Sequence, residues 1–94
     1  MSVGLMMIDC LVNDCLSLKE KRSVLQSIIK RLHSNFNIAI AETNHQDLWQ
    51  RSELSIVSVN TDSKMLDKNF KSIIEFIEKD KRVQILNYET KNIY

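Results

Sequence analysis

The stretch that decides the fold is VGLMMIDCLV, residues 3–12, which is nearly all apolar and has Asp9 as its one charged residue. It is too short for a long helix, and such a run is typical of a strand that is buried on much of both faces. Because successive side chains point to opposite faces of a strand, the even-numbered residues are the better candidate for the core. This core set is Met6, Ile8, Cys10 and Val12. The opposite face carries Leu5, Met7, Asp9 and Leu11.

A helix is predicted shortly after this strand. Ser17 followed by Glu20 forms a capping box, in which each side chain can satisfy an unpaired backbone amide of the first helical turn. Apolar residues then recur at helical spacing and predict the buried stripe of this helix. The stripe is Leu25, Ile28, Ile29 and Leu32.

Two further strands, a second helix and a fourth strand complete the chain. FNIAIAET at 36–43 alternates like a half-buried strand, whereas ELSIVSVN at 53–60 is apolar on both faces. The second helix is predicted to begin near Asp62 or Ser63, either of which is a good N-cap. Its buried stripe is Leu66, Phe70, Ile73, Ile74 and Ile77. RVQILNYE at 82–89 alternates again and predicts the fourth strand.

The resulting βαββαβ order predicts an α+β fold, the ferredoxin-like sandwich, because crossover connections between strands are right-handed. In that topology a four-stranded antiparallel sheet carries both helices on one face, and the first and third strands are central. The two most apolar runs are indeed the first and the third. We expect residues 1–94 to form a single domain, since this length is usual for one domain and no linker divides it.

The composition, with 44% hydrophobic and 27% charged residues, predicts an ordered and soluble chain. No run approaches the roughly 20 apolar residues of a membrane span, and the chain lacks a basic secretory start. We therefore expect a cytoplasmic protein without membrane contact. Cys10 and Cys15 are expected to be reduced, and with His33 and His45 they show no zinc-ligand spacing, so no metal site is predicted.

The net charge of +1 excludes a uniformly basic nucleic-acid binder, and no DNA partner is expected, but a local basic patch remains open. In the predicted topology, the loop at 44–51 shares one end of the sandwich with the start of the first helix and the return at 79–82. Seven cations would gather at this end: Lys19, Lys21, Arg22, Arg51, Lys79, Lys81 and Arg82. With a helix N-terminus and the ring of Trp49, they predict an edge that faces phosphates and stacks a base.

Two alternatives stay open for this end of the molecule. Acidic residues lie among the cations, so the patch could be an ordinary salt-bridged surface; they are Asp14, Glu20, Asp47, Glu53 and Asp80. Trp49 could also fold back as a lid on the core, because an exposed tryptophan leaves a large ring in water.

Three segments resemble the YlxP-like family of small bacterial proteins of unknown function: SLKEKR at 17–22, FNIAIAE at 36–42 and QDLWQRSEL at 46–54. The resemblance covers roughly Gly4 to Asp80 and implies a ferredoxin-like fold. The positions most alike among its members are present here: Ser17, Lys19, Lys21, Arg22, Asp47, Trp49, Gln50 and Arg51. Asn13 departs from the many members that carry a proline shortly before the first helix. The family has no established activity, but its genes often lie among those for translation initiation and ribosome maturation, which implies a connection with RNA or the ribosome.

These observations favour a non-enzymatic RNA-binding or ribosome-associated accessory factor linked to translation or ribosome maturation. The residues expected to contact RNA or a partner are Lys19, Lys21, Arg22, Trp49, Gln50 and Arg51. The alternative is a dimeric protein-interaction or small-ligand regulatory module, and we expect a homodimer through the uncovered sheet face at Leu5, Met7 and Leu11. An enzyme is disfavoured, and no catalytic residue or cofactor is predicted, because the chain has no glycine-rich phosphate loop, metal cluster or nucleophile paired with a base.

Overall fold

A computed structural model describes residues 1–94, and its elements follow the predicted βαββαβ order. The strands are β1 (Ser2–Val12), β2 (Ala39–Asn44), β3 (Arg51–Asn60) and β4 (Val83–Asn92), and the helices are α1 (Leu18–Asn35) and α2 (Ser63–Glu78). The strands form one antiparallel sheet in the order β2-β3-β1-β4. The ferredoxin-like α+β fold is therefore confirmed, with β1 and β3 at the centre of the sheet.

Both helices pack on one face of the sheet and enclose a single apolar core. The alternation predicted for β1 is confirmed, because its even-numbered side chains are buried against the helices: Met6, Ile8, Cys10 and Val12. The stripe predicted for α2 is buried throughout, and that of α1 is buried except for Ile29, which packs partly against the core. Burying these side chains removes apolar surface from water, which is the main stabilising contribution to such a fold.

The helix caps follow the prediction with one difference. Ser17 is the N-cap of α1, and its Oγ accepts a hydrogen bond from the Glu20 amide at 3.1 Å. The Glu20 carboxylate accepts from the amide of Leu16, at 2.6 Å, instead of from the N-cap amide itself. Asp62 is the N-cap of α2 and accepts from the amide of Lys64 at 2.9 Å.

The edge strands differ in length from the sequence prediction, and the central strand β3 begins at Arg51, two residues earlier than predicted. β2 begins at Ala39, three residues later than predicted, because Phe36 is the C-cap of α1 and donates its amide to the Leu32 carbonyl at 2.8 Å. β4 extends to Asn92, where it pairs with Gly4, three residues beyond the predicted end. Both of these differences are in edge strands. The alternation of apolar and polar residues does not specify which residue of such a strand is the first or last to pair.

The other face of the sheet has no helix on it. Leu5, Met7 and Leu11 lie on this open face and are half-buried, as the strand alternation predicted. Val57 and Val59 of β3 stand beside Leu5 and Val3 on the same face and are exposed. The open face is therefore largely apolar at this end. Neither helix has the combination of length and apolar composition that crossing a bilayer requires.

Candidate functional site around the Trp49 loop

The segment between β2 and β3, residues 45–50, forms a tight loop that we call the Trp49 loop. It begins at His45, which has a positive φ of 63°, and the Leu48 amide then donates to the His45 carbonyl at 3.0 Å. A left-handed backbone is uncommon for residues other than glycine and turns the chain sharply. The loop ends where Gln50 donates its side-chain amide to the Cys15 carbonyl at 3.1 Å.

Two large apolar side chains stand exposed on this loop. Trp49 is 51% exposed and Leu48 is 48% exposed. The sequence left two alternatives for Trp49, a ring folded over the core and a ring exposed to solvent. The structure shows the exposed ring, because a ring that covered the core would be buried. Leu16, which precedes α1 next to the Gln50 contact, is also exposed.

The loop backbone is held from inside by the ammonium group of Lys21. Lys21 is fully buried, with a relative exposure of 0%. Its Nζ donates to the carbonyl oxygens of Leu48 at 2.6 Å, His45 at 2.7 Å and Arg51 at 3.0 Å, and the Gln46 carbonyl lies at 3.5 Å. These carbonyls span the whole loop, so one side chain from α1 fixes its course.

A carboxylate completes the surroundings of this buried cation. Glu42 Oε2 lies 2.9 Å from Lys21 Nζ and also accepts a hydrogen bond from Ser52 Oγ at 2.7 Å. Ser52 is itself fully buried, and its carbonyl accepts from the Cys10 thiol at 3.6 Å. A buried charge is costly unless it is paired and hydrogen-bonded, and here both conditions are met.

Lys21 was predicted to contact phosphate or a partner, and the structure corrects this. Its ammonium is enclosed by protein oxygens and is not accessible to a ligand. The physical reason is its place on the helix: Lys21 precedes Leu25 by four residues and therefore continues the buried stripe of α1. It supports the loop from below and belongs to the interior.

The other predicted contact residues divide into two groups. Lys19 and Arg22, in the first turns of α1, are exposed. Arg51 is paired, because its Nη2 donates to both carboxylate oxygens of Asp9 at 3.0 and 2.8 Å on the open face of the sheet. Gln50 is exposed, but its amide group is used in the contact with the segment before α1. Trp49, Lys19 and Arg22 are thus the members of the set that are exposed and make no side-chain hydrogen bond or ion pair.

The cations of the turn before β4, residues 79–82, also divide into an ion-paired residue and exposed residues. Asp80 accepts hydrogen bonds from Arg82 Nη2 at 2.7 Å and Nε at 3.0 Å, and Arg31 lies at 3.4 Å. These contacts with Arg82, together with the charge of Arg31, lower the pKa of Asp80 from its ordinary value. Lys79 and Lys81 remain exposed. Arg51 and Arg82 therefore form salt bridges, as the alternative interpretation of this surface expected. The exposed lysines Lys79 and Lys81 form none.

The two cysteines are free thiols inside the protein. Burial, with a smaller effect of the Asp9 charge, raises the pKa of Cys10 to about 11. Burial also raises the pKa of Cys15. Thiols of raised pKa are poor nucleophiles. No group of three His, Cys, Asp or Glu side chains is arranged to hold a metal ion.

Sequence reasoning missed three contributors to this site. Glu42 follows Ile38 and Ile40 at a spacing of two, so its inward direction could have been read from the strand alternation. The exposure of Leu16 and Leu48 had no such signal, because both lie in irregular segments without a period.

Comparison with known proteins identifies the family. Over 76 residues the chain is 36% identical to the uncharacterized protein YlxP of Bacillus subtilis (strain 168), which covers 81% of this chain and 83% of the relative. Residues 3–90, which include the Trp49 loop and its Lys21 support, match the family described as protein of unknown function DUF503. The chain therefore belongs to the DUF503 family and is YlxP-like.

Proposed function

We propose that this protein is a cytoplasmic, non-enzymatic RNA-binding factor, associated with the ribosome or its maturation, that contacts RNA through the Trp49 loop. The observation that carries the proposal is the half-exposed ring of Trp49 on a loop whose backbone is fixed from inside. An aromatic ring that is already held in water loses little freedom when a base stacks on it.

The charges around the loop support phosphate contact at its rim. Lys19 and Arg22 are exposed in the first turns of α1, where unpaired backbone amides also favour anions. The net charge of +1 limits this contact to a local patch. An open-sheet mode of RNA binding is not favoured, because β1 and β3 carry no aromatic side chain on that face, where such binders carry aromatic ones.

The test is RNA affinity at several salt concentrations, with a labelled single-stranded oligoribonucleotide and with ribosomal RNA as probes. Trp49→Ala should weaken binding by about 1–3 kcal/mol and leave the salt slope nearly unchanged, since stacking depends weakly on salt. Lys19→Ala and Arg22→Ala should each lower the slope by about one unit if the side chain meets a phosphate.

Tyr94→Ala is the matched control, because Tyr94 is 74% exposed and its amide donates to the Val3 carbonyl, at the end of β1 opposite to the Trp49 loop. It should leave RNA affinity unchanged. The melting temperature of Trp49→Ala should stay close to that of the unmodified protein, since the ring covers no core. Absence of RNA binding by the unmodified protein at low salt would end the proposal.

The open sheet face favours a second, compatible role as a dimeric interaction module. Leu5, Met7 and Leu11 lie there half-buried, and Val57 and Val59 beside them are exposed. Leu5, Val57 and Val59 adjoin one another, with Met7 next along β1, and an apolar surface of this kind is usually covered by a partner. Leu11 lies beyond the Asp9–Arg51 pair on the same face. We propose a homodimer through this face; its test is the mass in solution, by light scattering over a range of concentrations.

A further inference from the structure

We infer that Lys21 is the positioning residue of the Trp49 loop, so that the exposure of the ring depends on a cation inside the protein. Lys21 reaches the loop from α1, and its Nζ lies within 3.0 Å of the carbonyl oxygens of His45, Leu48 and Arg51. The role in RNA contact rests on the proposed function, whereas the control of loop conformation stands on these contacts alone.

The loop carbonyls converge on one point, and this arrangement requires a positive charge there. Carbonyl dipoles that aim their negative ends at a common centre repel each other. The Glu42 carboxylate, 2.9 Å from Nζ, adds a full negative charge to the same centre. Without the ammonium group these oxygens would lose the donor that they share and would repel each other, although His45 O and Glu42 keep their bonds from the Leu48 amide and Ser52 Oγ.

The backbone at the start of the loop is arranged around the same contact. His45 has a positive φ of 63°, an unfavourable conformation for its side chain, and its carbonyl lies 2.7 Å from Lys21 Nζ. Leu48, one residue before the tryptophan, makes the shortest of the contacts, at 2.6 Å. The lysine thus holds both sides of the turn that presents the ring of Trp49.

The experiment compares Lys21→Ala with the unmodified protein by two measurements that need no RNA. Trp49 is the one tryptophan of the chain, so its fluorescence anisotropy reports the loop. Hydrogen exchange of the Leu48 amide, which donates to the His45 carbonyl, reports the turn. We expect lower anisotropy and at least tenfold faster exchange in Lys21→Ala, with the exchange of the β1 amides unchanged.

Rescue by an amine distinguishes a missing cation from general damage. The substitution removes three carbons and the ammonium group, which n-propylammonium supplies. Adding n-propylammonium should restore anisotropy and slow exchange in a saturable way, whereas tetramethylammonium at the same concentration should not. Lys64→Met is the control, because Lys64 is exposed at the start of α2 and makes no side-chain contact with the loop. Unchanged anisotropy and exchange in folded Lys21→Ala would overturn the inference.

Glu42→Gln keeps the experiment decisive if Lys21→Ala does not fold. It leaves the lysine in place but removes the opposing charge, and we expect a smaller loosening of the loop in the same two measurements. An ordered loop in Glu42→Gln, together with a Lys21→Ala protein that is unfolded with or without the amine, would overturn the inference.

The affinity of the same variants for RNA is then measured separately, with a labelled oligouridylate. Lys21→Ala should weaken binding at least threefold and leave the salt slope unchanged, because the buried ammonium meets no phosphate. A loosened loop in a protein that binds no RNA even when unmodified would end the proposed function and leave the positioning role of Lys21 standing. A loosened loop with unchanged RNA affinity would overturn the part of the inference that concerns RNA.

Discussion

The guanidinium group of Arg51 donates from Nη2 to both carboxylate oxygens of Asp9, at 3.0 and 2.8 Å, across the open face of the sheet. The pair joins the first residue of β3 to the middle of β1, next to the end of the Trp49 loop. It neutralises a cation that the sequence had placed among the RNA contacts. The Asp9 carboxylate therefore offsets the positive charge that Arg51 would present to a phosphate.

Asp9→Asn tests this competition. The change removes the negative charge but keeps a side chain of the same shape, so Arg51 should contact RNA more readily. We expect RNA affinity at low salt to rise a few-fold and the salt slope to increase by up to about one unit. Because both side chains are about one-third exposed, the loss of stability should stay near 0.5 kcal/mol.

Glu89→Gln is the control for Asp9→Asn. Glu89 pairs with Met7 on the same sheet face but makes no contact with Arg51. If both variants change RNA affinity equally, the effect comes from overall charge, and the release of Arg51 plays no part.

A second prediction concerns the proposed homodimer and the side chain of Met7. Met7 lies on the open face between Ser55 of β3 and Glu89 of β4. Met7→Lys would place a charge in an apolar interface, and we expect a monomer in sedimentation velocity experiments. The monomer should stay folded, because the lysine stands half-exposed beside the carboxylate of Glu89.

Met65→Lys is the matched control for the dimer. Met65 is an exposed methionine on α2, on the opposite side of the sheet from the open face. It should leave the mass in solution unchanged. An unmodified protein that is monomeric at high concentration would contradict the proposed dimer.

The fold could be predicted from the sequence because its signals are periodic. Alternation along β1 and the apolar stripe of α2 each repeat several times, so single ambiguous residues do not change the interpretation. The bounds of β2 and β4 were less certain, since an edge strand has a pairing partner on one side only. In particular, Phe36 fits the alternation of a strand but is the C-cap of α1, so β2 begins later than predicted. The alternation alone does not show that the helix extends to this residue.

The candidate site was harder to predict, and Lys21 shows why. Its spacing from Leu25 and Ile28 places Lys21 on the buried stripe of α1. A lysine is nevertheless usually assigned to the surface, because charged side chains are rarely buried without a partner. The carbonyls that compensate for its burial come from residues 24 to 30 positions later in the chain. No local pattern encodes such a contact, so the sequence placed Lys21 beside the Trp49 loop, as the structure does, but wrongly at the surface.

A third prediction follows from the lowered pKa of Asp80. The contacts with Arg82 favour the ionised carboxylate in the folded protein, so the pKa lies below the ordinary 3.8. The stabilisation is then fully present above the ordinary value and is lost as the pH falls through the lowered one. Asp80→Asn should cost about 1 kcal/mol near neutral pH, and the difference from the unmodified protein should vanish in acid.

Thermal unfolding of both proteins across the acidic range measures this. Asp67→Asn is the control, because Asp67 is an exposed residue of α2 without an ionic partner. It should show a small difference at neutral pH. A constant difference between Asp80→Asn and the unmodified protein at all pH values would contradict an origin in the Asp80 charge.

The last prediction concerns Gly4, the one glycine of the chain. Gly4 lies in β1 on the face covered by α2, and a Cβ atom there would come within 2.7 Å of Phe70 Cε2 and 2.9 Å of Leu66 Cδ2. Both side chains are buried and would have to shift to admit the new methyl group. Gly4→Ala would reduce the freedom of the unfolded chain, which stabilises by less than about 1 kcal/mol, but overpacking costs about 1–3 kcal/mol. The net effect should be a loss of about 1–2 kcal/mol in urea unfolding.

A double-mutant cycle separates the steric cause of the Gly4 effect from a change in strand preference. Phe70→Leu removes the ring that the new methyl group would meet, and it should itself destabilise the protein by leaving a cavity. In that background Gly4→Ala should cost much less than it does alone, because the methyl group fills part of the space. Two contacting residues typically show such an interaction energy, of about 0.5–3 kcal/mol. Strictly additive free energies of unfolding would mean that the glycine is required for a reason other than its contact with Phe70.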